Sequence, residues 1–278
     1  MEAAIARAGL VPGRSPSPVL LPRPDRLFAG RARRLRTLAG GHSLADWLRF
    51  VASLSEASAG VVAGPATHAP DRQWTEDLRA LLDRLSGLPP AAAVACDSLK
   101  AAPERDIRAM ATHIRHGHAA EVDLAAAPLL AAARQVAWTR HAAGLDATAV
   151  TPPATATVCP VCGEAPVAGM IHIGATSGGL RYLHCGCCGT AWHHVRAVCV
   201  ACGNGKGIDY RMIEGGNDGV RAECCPTCKN ALKLFLLEKD PDFDPVADDL
   251  ASLPLDILVG EDGFTRIGGN PFLVMAAA

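Results

Sequence analysis

The stretch Cys159-Pro160-Val161-Cys162-Gly163 decides the fold, because it opens a segment of paired cysteines. Ten of the eleven cysteines lie between residues 159 and 228, and Cys96 stands apart. Four Cys-x-x-Cys pairs occur there, at positions 159/162, 185/188, 199/202 and 225/228. The third and fourth pairs follow the first and second by 40 residues, which makes two copies of C-x2-C-x22-C-x2-C. We therefore predict a tandem repeat of one metal-binding module.

The spacing within each pair suits metal ligation. Two cysteines separated by two residues in a tight turn direct both sulfurs at one point, and a glycine after the second cysteine, as at Gly163 and Gly189, lets the backbone complete the turn. Two such turns supply a tetrahedral set of four sulfurs, which zinc and iron both accept. The predicted ligands are the paired cysteines: Cys159, Cys162, Cys185, Cys188, Cys199, Cys202, Cys225 and Cys228.

Two questions about these cysteines follow from the pattern. The repeat favours a site made by the first and second pairs and another made by the third and fourth, but an interleaved arrangement stays open. Disulfide bonds are the competing chemistry. The first seven residues, MEAAIAR, have no basic region ahead of an apolar core, so we expect no secretory signal and a cytoplasmic location. Thiols stay reduced there, which favours metal ligation.

Further sulfurs and imidazoles lie beside the second and fourth pairs. One of these groups could replace a paired cysteine as a metal ligand, and this alternative stays open. The simpler interpretation is a free thiol together with packing or surface histidines. The residues whose roles stay open are Cys187, Cys224, His184, His193 and His194. Cys96, in Ala-Val-Ala-Cys-Asp, is typical of a small buried hydrophobic residue.

Composition excludes several classes of protein. The net charge of −1 and the pI near 6.8 give no polycationic surface for nucleic acid. No apolar run approaches the roughly 20 residues that span a bilayer, so we expect no membrane insertion. The sequence has no G-x-G-x-x-G opening a helix, P-loop, G-x-S-x-G or H-E-x-x-H motif, so we predict that the chain is not an enzyme.

The chain divides into segments around the repeat, and the fold class is predicted as α+β. Aromatic residues are only 4% of the chain, which favours helices packed through Ala, Leu and Val. The predicted segments are an extended N-terminal segment (1–42), a helical domain (43–150), a linker (151–157), module 1 (158–196), module 2 (197–237) and an acidic C-terminal helix and tail (238–278).

Apolar periodicity places four helices in the helical domain. Ser43 and Thr75 are the expected capping residues of the first two, and the others cover about 103–116 and 128–143. After the repeat, 246–259 is expected to form a final helix that Pro254 kinks or splits, with its acidic residues on a solvated face.

Several strings together resemble one known family, the formate dehydrogenase accessory protein FdhE. They include Cys159-Pro160-Val161-Cys162-Gly163, Gly179-Leu180-Arg181-Tyr182-Leu183-His184-Cys185, Val220-Arg221-Ala222-Glu223-Cys224-Cys225, Pro245-Val246-Ala247-Asp248-Asp249-Leu250-Ala251 and Gly269-Asn270-Pro271-Phe272-Leu273. The match is dense from about residue 159 to 273 and looser upstream. All eight paired cysteines fall on the family's motif positions.

The resemblance implies a helical N-terminal region followed by two rubredoxin-like (zinc-ribbon) modules that bind iron. It implies a cytoplasmic accessory factor whose partner is the catalytic subunit of a molybdenum- or tungsten-containing formate dehydrogenase. Zinc stays the alternative metal, in a structural docking scaffold without a redox role. A zinc-ribbon nucleic-acid binder is the remaining alternative, but residues 159–237 carry only seven Lys or Arg against five Asp or Glu. Self-association of the chain stays open.

Overall fold

The structure is a computed structural model, and it describes residues 16–115, 123–152, 157–173 and 179–273. These residues form two compact units. The helical unit contains residues 23–144 and the chain from residue 270, whereas the sheet unit contains the described residues up to 22 and residues 145–269. The predicted mixture of a helical region followed by strand-rich cysteine modules is confirmed.

The helical unit is built from α-helices joined by short connections. The helices are α1 (Pro24–Leu38), α2 (Ala45–Val62), α3 (Pro70–Leu82), α4 (Pro90–Ala101), α5 (Glu104–Arg115) and α6 (Ala127–Ala143). Proline in the first turn begins α1, α3, α4 and α6, where its missing N–H has no helical partner to lose. The core is largely aliphatic, as the composition predicts, and includes the fully buried Leu35, Leu48, Leu78, Leu129 and Val136.

A buried ion pair fixes how three of these helices meet. Arg140 of α6 donates to both carboxylate oxygens of Asp77 in α3, at 2.8 and 3.1 Å. The same guanidinium donates to the carbonyl oxygens of Val61 and Val62 in the last turn of α2. The pair therefore links α6, α3 and the last turn of α2.

The N-terminal segment corrects the sequence prediction. Residues 1–42 are predicted to be extended, but α1 occupies residues 24–38. Phe28, Ala32 and Leu35 recur at helical spacing and are buried, and the arginines between them hide that pattern in the sequence. Arg31 lies in the same helix and is also buried, and it donates to Gln135 of α6 at 3.2 Å.

The predicted helix starts are only partly right. Helix α2 begins at Ala45 without a side-chain cap from Ser43, and α3 begins at Pro70, which places Thr75 inside the helix. Helix α4 was not predicted, because its alanine-rich sequence shows little amphipathic pattern. Helix α6 confirms the prediction over 128–143, whereas the predicted end of the preceding helix at His116 lies outside the described residues.

The sheet unit is organised around one sheet, which has eight strands among the described residues. The strands are β1 (Val19–Leu20), β2 (Pro166–His172), β3 (Leu180–Cys185), β4 (Ala191–His193), β5 (Asp209–Arg211), β6 (Val220–Cys224), β7 (Asn230–Leu236) and β8 (Thr265–Arg266). Their spatial order is β1-β4-β3-β2-β7-β6-β5, with β8 beside β7. Only β2–β7 and β7–β8 are parallel pairs.

The strands repeat the 40-residue offset of the cysteines. Strands β2, β3 and β4 of module 1 correspond to β5, β6 and β7 of module 2, and the β2–β7 pair joins the modules. Arg181 of β3 is fully buried and donates to both carboxylate oxygens of Glu223 in β6, at 2.7 and 2.8 Å. The two modules therefore form one continuous sheet that shares a buried ion pair, rather than two independently folded domains.

The acidic C-terminal stretch forms two short helices, as Pro254 predicts. They are α7 (Ala247–Ala251) and α8 (Leu253–Glu261), with Pro254 in the first turn of α8. The expected solvated acidic face is wrong for two carboxylates. Lys233 of β7 contacts Asp249 and Asp256 at 2.9 and 2.7 Å, and Arg266 of β8 contacts the same two groups at 2.6 and 3.0 Å. Two cations thus neutralise two anions beneath these helices.

Candidate metal centres

Four tight turns at strand ends present the paired cysteines. The first and third turns precede β2 and β5, and the second and fourth connect β3 to β4 and β6 to β7. In each turn the backbone N–H of the first cysteine donates to the carbonyl oxygen five residues later. These bonds are Cys159 to Glu164, Cys185 to Thr190, Cys199 to Asn204 and Cys225 to Asn230, at 2.8–2.9 Å.

The residue after the second cysteine has a positive φ in every turn. It is Gly163, Gly189 and Gly203 in the first three turns, with φ of 77°, 74° and 73°. In the fourth turn Lys229 takes this place with φ of 56°, a conformation that costs a residue with a side chain about 1 kcal/mol. The sequence shows the glycines but gives no sign that the fourth turn keeps the same geometry with lysine.

The first and second pairs form one sulfur cluster, which we name site 1. The sulfurs of Cys159 and Cys188 are 3.4 Å apart, and those of Cys162 and Cys185 are 3.3 Å apart. All four sulfurs lie within 4.8 Å of one another. Three of these cysteines are buried, and Cys162 is half-buried. Site 1 is therefore a compact cluster in which Cys162 is the most exposed cysteine.

The third and fourth pairs form a second sulfur cluster, site 2. The sulfurs of Cys199 and Cys228 are 3.6 Å apart, and those of Cys202 and Cys225 are 3.7 Å apart. These four sulfurs also lie within 4.8 Å of one another. Here Cys199 and Cys225 are buried, but Cys228 is half-buried and Cys202 is exposed. Site 2 is thus the more accessible cluster.

Both clusters fit a tetrahedral metal ion. Metal–sulfur bonds of about 2.3 Å place the sulfurs of a tetrahedral site about 3.8 Å apart, close to the separations in site 2 and slightly longer than those in site 1. A disulfide bond would need about 2.05 Å between two sulfurs, and none of the eleven cysteines is in a disulfide bond. The clusters join the first pair with the second and the third with the fourth, so the interleaved arrangement is not the one adopted.

The electrostatics of the clusters point to a bound cation. In site 1, hydrogen bonds from Cys159 and the neighbouring sulfurs hold the pKa of Cys162 below its ordinary value. Contact with Cys159 and the other sulfurs raises the pKa of Cys185 well above its ordinary value, and in site 2 burial raises the pKa of Cys199 to about 12. Four crowded thiols therefore cannot all ionise by themselves. A metal ion removes this conflict, because it stabilises every thiolate that it binds.

Hydrogen-bond donors reach the sulfurs in both clusters. In site 1 the backbone N–H groups of Cys187 and Cys188 lie 3.3 and 3.4 Å from Cys185 Sγ. In site 2 the amide of Asn204 donates to Cys225 Sγ at 3.9 Å. Such contacts stabilise the negative charge of a thiolate and tune the affinity and the reduction potential of a bound metal.

Three family models match this chain in succession. The model described as "FdhE, N-terminal" matches residues 16–73 and 63–155, "FdhE, central domain" matches residues 158–196, and "FdhE, C-terminal domain" matches residues 197–273. The chain belongs to the FdhE family.

FdhE relatives match nearly the whole chain. A "Protein FdhE homolog" of Pseudomonas aeruginosa is 36% identical, and the match covers 98% of each chain. "Protein FdhE" of Salmonella newport is 36% identical and covers 92% of this chain and 91% of its own. The crystal structure of the FdhE protein from Pseudomonas aeruginosa superimposes with a TM-score of 0.84 at 35% identity, over 93% of this chain and 99% of that one.

Among the described residues, the histidines of module 1 are not members of the sulfur clusters. His184 stacks on His172 with ring centroids 6.0 Å apart, and neither ring nitrogen of His172 has a hydrogen-bond partner. Burial lowers the pKa of His172 to about 4 and that of His184 to about 3, so both stay neutral. Sequence analysis missed His172, because no spacing marks it. His194 Nδ1 faces the Arg181 guanidinium at 2.5 Å, and His193 packs against Tyr182.

The remaining thiols of this FdhE member lie outside the two clusters. Cys96 is 5% exposed, which confirms its predicted burial. Cys224 packs with Leu255 and Val259 of α8, and burial raises its pKa to about 11. Cys187 is half-buried beside site 1. Among the described residues, no helix has both the length and the apolar character needed to cross a membrane.

Proposed function

We propose that this chain is a cytoplasmic accessory factor for formate dehydrogenase, which binds the catalytic subunit of that enzyme and is not itself an enzyme. The observation that carries the proposal is the family match across residues 158–273, within which the sulfurs converge into two four-cysteine clusters. The proposed metal ligands are the eight cysteines of sites 1 and 2.

We propose iron as the metal in both sites, with zinc as the alternative. An iron ion held by four thiolates supplies one-electron transfer between its ferrous and ferric states. The protein contributes the sulfur geometry and the donors that stabilise thiolate charge, namely the N–H groups at Cys185 and the amide at Cys225. At site 2 the exposed Cys202 brings the cluster to the surface, where a partner protein can approach it.

Metal content tests the choice between iron and zinc. The protein would be purified without oxygen, and its metals and visible absorption measured. About two irons per chain, with a visible band that a reductant bleaches, are expected. About two zincs and no visible band would refute the redox role and leave a docking scaffold.

Binding to the enzyme tests the partner. The tagged protein is expected to retain the formate dehydrogenase catalytic subunit in a pull-down, and cells that lack the factor are expected to lose formate dehydrogenase activity. Cys159→Ser and Cys225→Ser, each checked for folding, are expected to fail to restore that activity. Full activity with both variants would overturn the role of the metal sites. Restored activity without any binding would overturn the docking step.

A further inference from the structure

The connection between the two modules, residues 194–198, runs over the surface of the sheet unit. It follows β4 and leads directly to Cys199, the first proposed ligand of site 2. Residues 195–197 are all exposed, and Val195 is 63% exposed. Burial therefore does not fix this segment, and its position depends on polar contacts.

One buried side chain of module 1 makes such contacts. Arg181 of β3 is fully buried. Its Nη2 lies 2.5 Å from His194 Nδ1 and from the carbonyl oxygen of Val195, and 2.7 Å from the carbonyl oxygen of Val198. The backbone N–H of His194 also donates to the carbonyl oxygen of Arg181, at 3.0 Å. A single guanidinium thus reaches both ends of the connection.

The backbone of the connection is strained between these contacts. Ala197 has a φ of 55°, which is unfavourable for a residue with a side chain. Such a conformation persists only where the surrounding structure maintains it. Ala197 lies between Val195 and Val198, whose carbonyl oxygens both accept from Arg181. The guanidinium therefore holds the chain on either side of the strained residue.

The other half of the same guanidinium is bound to module 2. Arg181 Nη1 lies 2.7 and 2.8 Å from the two carboxylate oxygens of Glu223, and the hydroxyl of Tyr210 donates to the same carboxylate at 3.2 Å. Glu223 lies two residues before Cys225, another proposed ligand of site 2. From module 1, Arg181 therefore contacts the two chain segments that enter the two turns of site 2, ahead of Cys199 and Cys225.

The repeat does not duplicate this arrangement for site 1. At the 40-residue offset Arg181 corresponds to Arg221, but Glu223 corresponds to Leu183. Module 1 thus has an apolar residue at the position where module 2 has the carboxylate. The contact between an arginine of one module and the turns of the other therefore serves site 2.

We propose that Arg181 is a positioning residue for site 2, which aligns from module 1 the two turns whose cysteines bind the metal there. The inference rests on the metal-binding part of the proposed function. Arg181 acts through the backbone ahead of Cys199 and Cys225 and is not itself a ligand. Site 2 therefore reaches its full affinity for metal only when module 1 is folded beside it.

Zinc release from the full chain, resolved by site, tests this role. Protein loaded with two zinc ions would be mixed with an excess of a coloured chelator. At successive times the cysteines that have become free would be alkylated and identified by mass spectrometry, which tells site 1 from site 2. Zinc is used because it undergoes no redox change.

Two variants remove the contacts of Arg181 in different ways, and a third is the matched control. Arg181→Lys keeps a positive charge opposite Glu223 but lacks the second nitrogen that reaches the connection. Arg181→Met combined with Glu223→Leu, which copies Leu183 of module 1, removes both buried charges and leaves neither unpaired. The control, Arg221→Met, removes the arginine at the matching position of module 2.

We expect both Arg181 variants to release the zinc of site 2 about tenfold faster or more, while release from site 1, and from both sites of the control, changes by less than about twofold. A merely structural role would act at least as strongly on site 1, because Arg181 lies on β3, the strand that ends at Cys185. The expected result is thus a substitution in one module that weakens the metal site of the other.

Four results would overturn the inference alone. They are equal acceleration at both sites, acceleration at site 1 only, unchanged release in both Arg181 variants, and loss of the folded circular dichroism signal in both, which would show a general structural role. Wild-type protein that holds fewer than two zinc ions at the start would refute the metal-binding proposal, and this inference with it.

Discussion

Sites 1 and 2 share their turns but differ in their surroundings. Site 1 lies where β2 begins and β3 ends, two strands inside the sheet, and three of its four cysteines are buried. Site 2 lies where β5, the last strand in the sheet order, begins, and its Cys202 is exposed. The repeat thus determines the donor set, while the position in the sheet determines solvent access. Solvent access in turn tunes both the reduction potential of a metal and its exchange.

The largest difference in metal content and stability between the two sites is expected when one cysteine ligand is removed from each. Cys188→Ser places a hydroxyl in a fully buried position, so the metal and the folding energy coupled to it, on the order of 10 kcal/mol, are expected to be lost. Cys202→Ser opens an exposed position that water can occupy, so weaker metal binding with a retained fold is expected. Metal content and thermal unfolding measure both effects. Equal losses in the two variants would break the comparison.

Loss of the ion pair that joins the modules is expected to have the next largest effect on the free energy of unfolding. Glu223→Gln leaves the fully buried Arg181 without its counter-charge, and we expect the free energy of unfolding to fall by about 3–5 kcal/mol. Denaturant unfolding measures the loss. The control is Asp218→Asn, which removes the exposed partner of Lys239 and is expected to change little. A loss at Glu223 as small as the control's would mean that the modules do not depend on this pair.

His172 should give module 1 its own pH dependence. Burial lowers the pKa of His172 to about 4 in the folded chain, whereas its ordinary pKa in the unfolded chain is near 6.5. Below about pH 6.5 the unfolded chain therefore binds a proton more readily than the folded chain. Stability from this group is therefore lost as the pH falls, by about 2 kcal/mol between pH 7.5 and 5.

The measurement is denaturant unfolding of the zinc-loaded protein at both pH values. His172→Leu is expected to show a smaller loss than the wild type, because acid effects on the metal sites are common to both. His68, which is half-exposed on the helical unit, provides the control substitution His68→Gln. An unchanged pH dependence in His172→Leu would show that the ring is not kept neutral by burial.

The smallest effects concern the turns themselves. Gly203→Ala is expected to cost about 1 kcal/mol, because φ is 73° and no neighbouring atom lies near the new Cβ. Lys229→Gly is expected to gain up to about 1 kcal/mol by relieving its φ of 56°, reduced by the loss of the contact between Lys229 and the Phe264 ring. Thermal unfolding distinguishes the two signs. Destabilisation by both variants would mean that the lysine contact outweighs the backbone strain.

The sequence predicts the sites better than the fold, for physical reasons. The donor set depends on short-range turn geometry, so the spacing of the eight cysteines predicts four paired turns. The repeat favours the pairing that the two clusters adopt, but the spacing alone left the interleaved arrangement open. Pro254 acts locally too, and it splits the last helix as predicted. These features need no information about distant residues.

The misses about buried charges involve partners far away in the sequence. Arg31 is buried because Gln135 accepts from it, and Asp249 is buried because Lys233 and Arg266 neutralise it. Residue types alone predict exposure for these charges, since burial without a partner is costly.

Strand β1 pairs with a strand that is made much later during synthesis of the chain. Val19 and Leu20 pair with Trp192 and Ala191, and the chain of the six helices lies between these partners in the sequence. As the protein leaves the ribosome, the helices can form from local contacts long before β4 exists. The first strand to be made is thus among the last to find its neighbour, and its backbone hydrogen-bonding groups must be kept from other chains until then.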